Sequence, residues 1–162
     1  MKIKNRIHLL PENKINELYN IPNFTDQEME ILFSLSADDH LLLTKYKTIK
    51  LKIYFIIQLG YFRAIQQFYN FSLEDIPKEV LYVAKLYFDL PLKNINNKPY
   101  RTIIKSQQAI ILNLYDYRDW SPSLSPQIKT HLCELIMYYP KPEVATLELF
   151  KYFEQIKVVI PS

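Results

Sequence analysis

Apolar residues recur at helical spacing from one end of the chain to the other, interrupted by Pro and by Ser, Thr or Asp where helices would begin. Leu10-Pro11-Glu12 opens a short helix to about Tyr19, with Pro11 in the first turn and Ile15, Leu18 and Tyr19 on one face; Pro22 ends it. Thr25-Asp-Gln-Glu28 has the spacing of a capping box, in which hydroxyl and carboxylate satisfy each other's orphan backbone N–H groups. A second helix carrying Met29, Leu32 and Phe33 follows. Ser36-Ala-Asp-Asp39 repeats the device before Leu41, Leu42 and Leu43, predicting a third helix to about Tyr46.

Thr48 to Phe68 is the strongest segment. Ile49, Ile53, Ile56, Ile57, Gly60 and Ala64 share a face, and Leu51, Tyr54, Phe55 and Phe62 make the other side apolar too, which predicts a central, largely buried helix. A glycine inside a helix costs about 1 kcal/mol relative to alanine, so Gly60 points to another helix packed closely on it, with an unrelated kink as the alternative. Ser72 to Ile76 reads as a turn. Pro77 starts a helix bearing Val80, Leu81, Val83, Ala84, Tyr87 and Phe88, stopped by Pro91. The Asn-rich stretch Pro91 to Pro99 reads as a loop, and a lobe boundary is expected near Leu90. Tyr100 to Tyr115 is helical, with Ile103, Ile104, Ala109 and Leu112 as its buried positions. Ser125-Pro126 starts a helix to about Tyr139, and Pro142 to about Ile156 forms the last; Val158 to Pro161 reads as extended or terminal chain. No repeat of solenoid length recurs. The expected fold is all-α, about seven or eight helices in two small lobes, residues 1–90 and 91–162.

Composition narrows the chemistry. One glycine among 162 residues removes every Gly-rich phosphate loop, while thirteen tyrosines and nine phenylalanines supply a folded core and argue against disorder. Cys133 is the single cysteine, and no apolar leader follows the basic Met1 to Arg6, so the expectation is a reducing, bacterial-type cytoplasm. The uncharged runs Ile53 to Phe62 and Ser106 to Tyr115 are too short to span a membrane. His8, His40 and His131 are isolated. His131 and Cys133 lie about 200° apart on a helix, so one metal does not readily take both; a surface histidine beside a buried thiol is expected instead. Asp38-Asp39 and Glu74-Asp75 sit at helix starts, where carboxylates favour the positive dipole end, and Asp116 and Asp119 have no further acid near them. No nucleophile elbow, HExxH or nucleotide loop is present, which leaves a binding role without catalytic residue, metal or cofactor.

Net charge is only +3, but its distribution is uneven. Between Asp39 and Glu74 there is no acid while Lys45, Lys47, Lys50, Lys52 and Arg63 occur; between Asp89 and Asp116 only Lys93, Lys98, Arg101 and Lys105 carry charge. The first cluster surrounds the start of the central helix, where side-chain cations and helix amides can both meet phosphate. Arg101 and Lys105 share a face one turn after Lys98. Solvated helix faces would look the same.

Leu10-Pro-Glu-Asn, Phe33-Ser-Leu-Ser-Ala-Asp-Asp39, Lys52-Ile-Tyr-Phe-Ile-Ile-Gln-Leu-Gly-Tyr-Phe-Arg63, Asp75-Ile-Pro-Lys-Glu-Val-Leu-Tyr-Val-Ala84 and Lys157-Val-Val-Ile-Pro161 together resemble the N-terminal region of Tn-three family transposases, from about Leu9 to Pro161. Gln58-Leu-Gly-Tyr-Phe-Arg63 is similar to a family run ending Gln-Leu-Cys-Tyr-Leu-Arg, with Gly60 where the family often has another small residue. Arg101-Thr-Ile-Ile-Lys-Ser-Gln107 through Leu114-Tyr-Asp-Tyr-Arg118 is similar to an Arg-rich helix followed by Leu-Gly-Tyr-Arg, with Asp116 in the glycine's place. The basic run before the central helix, usually arginine-rich in the family, is here Lys45 to Lys52. Lysine supplies point charge without bidentate base reading.

The resemblance implies helix-turn-helix-like lobes that bind double-stranded DNA at the transposon's terminal inverted repeats, with the metal-binding catalytic carboxylates far downstream, outside this chain. The expected phosphate contacts are Lys45, Lys47, Lys50, Lys52, Lys98, Arg101 and Lys105, with Arg63 and Arg118 as further positions; Arg63, within an apolar helix, can instead pair with a helix end or a core carboxylate. Partners besides DNA would be the rest of a transposase or another copy. The rival expectation is a protein-interaction module, or an inert remnant of a truncated gene, whose aromatic faces around Tyr61, Tyr138 and Tyr139 contact another polypeptide.

Overall fold

The computed structural model describes residues 9–89 and 98–160. His8, Leu90, Lys93 and most of the loop expected over Pro91 to Pro99 lie outside the described residues. Among those described, the fold is all-α: α1 (Glu12–Tyr19), α2 (Asp26–Leu32), α3 (Ala37–Leu43), α4 (Ile49–Ile65), α5 (Pro77–Tyr87), α6 (Arg101–Leu114), α7 (Ser125–Tyr138) and α8 (Pro142–Gln155), with a single turn of 3-10 helix at Pro122–Leu124.

Local chemistry starts and stops these helices. At α2 the Thr25 hydroxyl accepts from the Glu28 amide while Glu28 accepts from Thr25, completing the capping box; Ser36 and Asp39 do the same at α3. The Thr25 hydrogen bonds hold the Glu28 carboxyl below its usual range, and bonds from the Ser72 amide and hydroxyl do so for Asp75 in the turn before α5. Pro77 occupies the first turn of α5, where a missing N–H is tolerated. Gln66, at φ 53, closes α4 in the left-handed region.

Contacts divide the chain into two units: one spans Ile21–Tyr115, the other combines the residues up to Asn20 with Asp116 onward. This division differs from the expected boundary near Leu90, because α6 packs against α4 and so joins the first unit. In the Ile21–Tyr115 unit, α4 is the hub. Ile53 through Phe62 are all buried, enclosed by α2, α5 and α6. Phe33, Phe55, Phe62 and Phe71 are fully buried around it, each contributing about 1.5–3 kcal/mol of hydrophobic stabilisation. Gly60 faces the Phe33 ring: a Cβ there would stand 2.2 Å from Phe33 Cδ1 and 3.3 Å from the Leu32 carbonyl oxygen. The close approach expected at this glycine is therefore made by the C-terminal end of α2.

In the other unit, Leu124, Ile128, Phe153 and Val158 form a small core against which Trp120, Leu149 and Phe150 pack. After α8 the chain turns at Ile156 and Lys157, and Val158 then forms a bridge, while Pro161 of the segment expected to be extended or terminal lies outside the described residues. Val159 donates to the Arg118 carbonyl and Arg118 donates to that of Lys157, a single parallel bridge. Asp116 has φ 57, a conformation glycine adopts readily and aspartate tolerates. Its carboxylate lies 3.8 Å from Lys157 Nζ. Cys133 is exposed rather than buried, and His131 stacks on Tyr152 with ring centroids 3.7 Å apart.

Candidate nucleic-acid interface

The register of α4 against α6 decides where the basic residues meet. Gln58 Nε2 donates to Gln107 Oε1 at 2.7 Å, and Gln107 Nε2 donates to the Leu51 carbonyl at 2.9 Å. Further along, Arg63 Nε donates to the Tyr115 hydroxyl at 2.8 Å, and the Phe62 and Tyr115 rings lie 5.5 Å apart. These bonds join residues 49, 56 and 52 positions apart, so partners advance together along both helices. The helices are therefore parallel, and an offset of 52 sets Arg101 level with Ile49. Two helix starts share one end of a single unit. The basic stretches, expected in separate lobes, both lie in that unit.

Carboxylates stand in the first turn of α1, α2, α3, α5 and α8, where they complement the positive dipole end. Neither α4, α6 nor α7 has one, and of these α4 and α6 belong to the same unit. Lys45 and Lys47 are exposed in the turn before α4, Lys50 and Lys52 are half-buried in its first turn, and Arg101 and Lys105 are exposed on α6. Thr48 accepts the Leu51 amide at 3.4 Å, whereas Tyr100, at the start of α6, supplies no side-chain cap. Among the described residues, no ion pair engages Lys45, Lys47, Lys50, Lys52 or Arg101. An array of cations and helix amides without an acid has the chemistry to hold phosphate groups.

The other sequence-derived positions fall elsewhere. Lys98 is exposed and donates to Asn70 Oδ1. Arg118 is exposed and belongs to the other unit. Arg63 is a structural tie: Nη2 donates to Asp39 Oδ2 at 2.8 Å, Nη1 donates to the carbonyls of Leu32 (3.1 Å) and Ser34, and Nε is taken by Tyr115. Its guanidinium is committed to a carboxylate and to the end of α2, the alternative its apolar setting allowed. Tyr61 is 0% exposed, which removes it from any aromatic contact face. Ala109 is exposed, and the buried face of α6 is instead Ile104, Gln107, Ile111 and Leu112.

Gln58 and Gln107 were not evident from sequence as the pair that sets the register. The available signal was Gln107 at helical spacing between Ile104 and Ile111, a polar residue within an apolar stripe. Among the described residues, no group of three His, Cys, Asp or Glu side chains gathers to hold a metal, and no helix is long and apolar enough to cross a membrane.

No curated protein and no solved structure matches this chain. The family model of a domain of unknown function, DUF4158, matches residues 9–162, and the chain belongs to that family.

Proposed function

We propose that this domain is a non-catalytic DNA-binding segment of a Tn-three-type transposase, one that recognises the transposon's terminal inverted repeats while catalysis resides elsewhere in the transposase. The observation that carries the reading is the shared end of α4 and α6, where Lys45, Lys47, Lys50, Lys52 and Arg101 gather around two helix starts with no first-turn acid. The sequence resemblance from Leu9 to Pro161 supports the choice of DNA as the polyanion. Lysine predominates at this end, so phosphate attachment is expected to supply most of the affinity, with modest base reading.

Fluorescence anisotropy with a duplex carrying the transposon end and a scrambled duplex, each over a range of salt, tests this. Tight, salt-dependent binding with preference for the transposon end is expected. Absence of binding at low salt would defeat the reading.

A second reading, docking to another polypeptide, is favoured by one observation: Ile136, Met137 and Tyr138 are all exposed on the last turn of α7. It predicts no DNA binding in the same titration.

A further inference from the structure

We propose that Tyr100 is a stacking platform for an unpaired nucleobase, so that this domain favours DNA with a single-stranded segment over a fully paired duplex; this rests on the DNA-binding reading above. Tyr100 is 81% exposed. Among the described residues it has no ring, hydrogen-bond or ionic partner for its side chain.

Its backbone is nonetheless held. The preceding Pro99 is buried, and the Tyr100 carbonyl accepts from the amides of Ile103 (2.9 Å) and Ile104 (3.1 Å), so the ring projects from a fixed base. Lys98 and Arg101, both exposed, flank it in sequence. Tyr46 is likewise set between cations, Lys45 and Lys47. Its ring, however, is half-buried and packs on Phe55 at 5.4 Å, which leaves Tyr100, among the described residues, as the exposed aromatic face flanked by these cations.

Aromatic rings interleaved with cations are how proteins hold single strands: the cations follow the phosphates and the rings take the bases. Tyrosine suits this because only two side-chain torsions are immobilised when a base settles on it. Paired, stacked bases offer no free face to such a ring, which makes an unpaired base the fitting occupant.

Anisotropy titrations of the full chain with a blunt duplex, and with the same duplex bearing a short single-stranded overhang, test the proposal. The unmodified protein should bind the overhang DNA about tenfold more tightly than the blunt duplex, the typical effect of one stacked base. Tyr100→Ala should abolish that preference while leaving blunt-duplex affinity and its salt slope unchanged, and Tyr100→Trp should retain it. Because the ring is 81% exposed and has no hydrogen-bond, ionic or ring partner among the described residues, both variants should keep the parent circular dichroism and unfolding curve. Equal binding of the two DNAs by the unmodified protein, or an undiminished preference in Tyr100→Ala, would overturn the proposal and leave the DNA-binding reading standing. Failure of the unmodified protein to bind either DNA at low salt would overturn both.

Discussion

Arg63 and Gly60 lie within one turn of each other on α4 and serve the same neighbour, the end of α2, by opposite means. Arg63 supplies donors to the Leu32 and Ser34 carbonyls and neutralises Asp39, which is only 4% exposed. Arg63→Ala leaves that carboxylate buried without its counter-charge, so a loss of about 3–5 kcal/mol is expected in urea unfolding, with DNA affinity unchanged in the cold, where the variant remains folded. Arg63→Lys should recover little, since an ammonium lacks the planar fork that reaches Asp39, Tyr115 and the carbonyls together. Unchanged stability with weakened DNA binding would instead return Arg63 to the interface. At Gly60, alanine gains about 1 kcal/mol of helix propensity. Its Cβ, however, would meet Phe33 Cδ1 at 2.2 Å, and overpacking of this kind costs about 1–3 kcal/mol. Gly60→Ala should be net destabilising, and combining it with Phe33→Leu should cost less than the separate losses added together; strict additivity in the double-mutant cycle would show that the ring is not the obstacle.

The helices are the scale at which the sequence was most legible, because their starts are set by chemistry within four residues. The capping boxes at Thr25 and Ser36, the first-turn prolines of α5 and α8 and the apolar run of α4 are all local signals, and each helix lies close to where they place it. What α6 packs on was not legible. Its register is held by glutamines 49 positions apart, and no local spacing carries a pairing of that range. For the same reason the Pro- and Asn-rich stretch suggests a lobe boundary that the packing does not follow, and it separates two basic clusters that the fold brings into one unit. Gln107→Leu should cost about 1–3 kcal/mol, because it strands the Gln58 amide donor in the core. Replacing both glutamines with leucine should recover much of that loss. If the single variant is as stable as the parent, the register has another origin.

At the scale of the whole molecule, the Ile21–Tyr115 unit combines a tyrosine-rich interior with a basic end, and each half makes its own prediction. Burial pushes the hydroxyls of Tyr46 and Tyr54 from 10.0 up to about 12, and raises that of Tyr61 as well. The folded state thus holds these protons more tightly than the unfolded chain, whose tyrosines ionise near 10. Their contribution to stability is complete below pH 10 and is lost as pH rises toward about 12. Thermal melts followed by circular dichroism should fall steeply across that window, and a flat profile would contradict the burial described. The central claim is that the shared start of α4 and α6 holds DNA phosphates, and the salt dependence of binding tests it most directly. The logarithm of the binding constant should fall linearly with the logarithm of salt concentration, and replacing Lys47, Lys50 and Arg101 together with alanine should reduce that slope by about 2–3, near 0.9 for each phosphate no longer neutralised. Affinity should weaken alike for transposon-end and scrambled duplexes, with the fold intact by circular dichroism. An unchanged slope in the triple variant, or a parent protein that binds no DNA at low salt, would contradict the account.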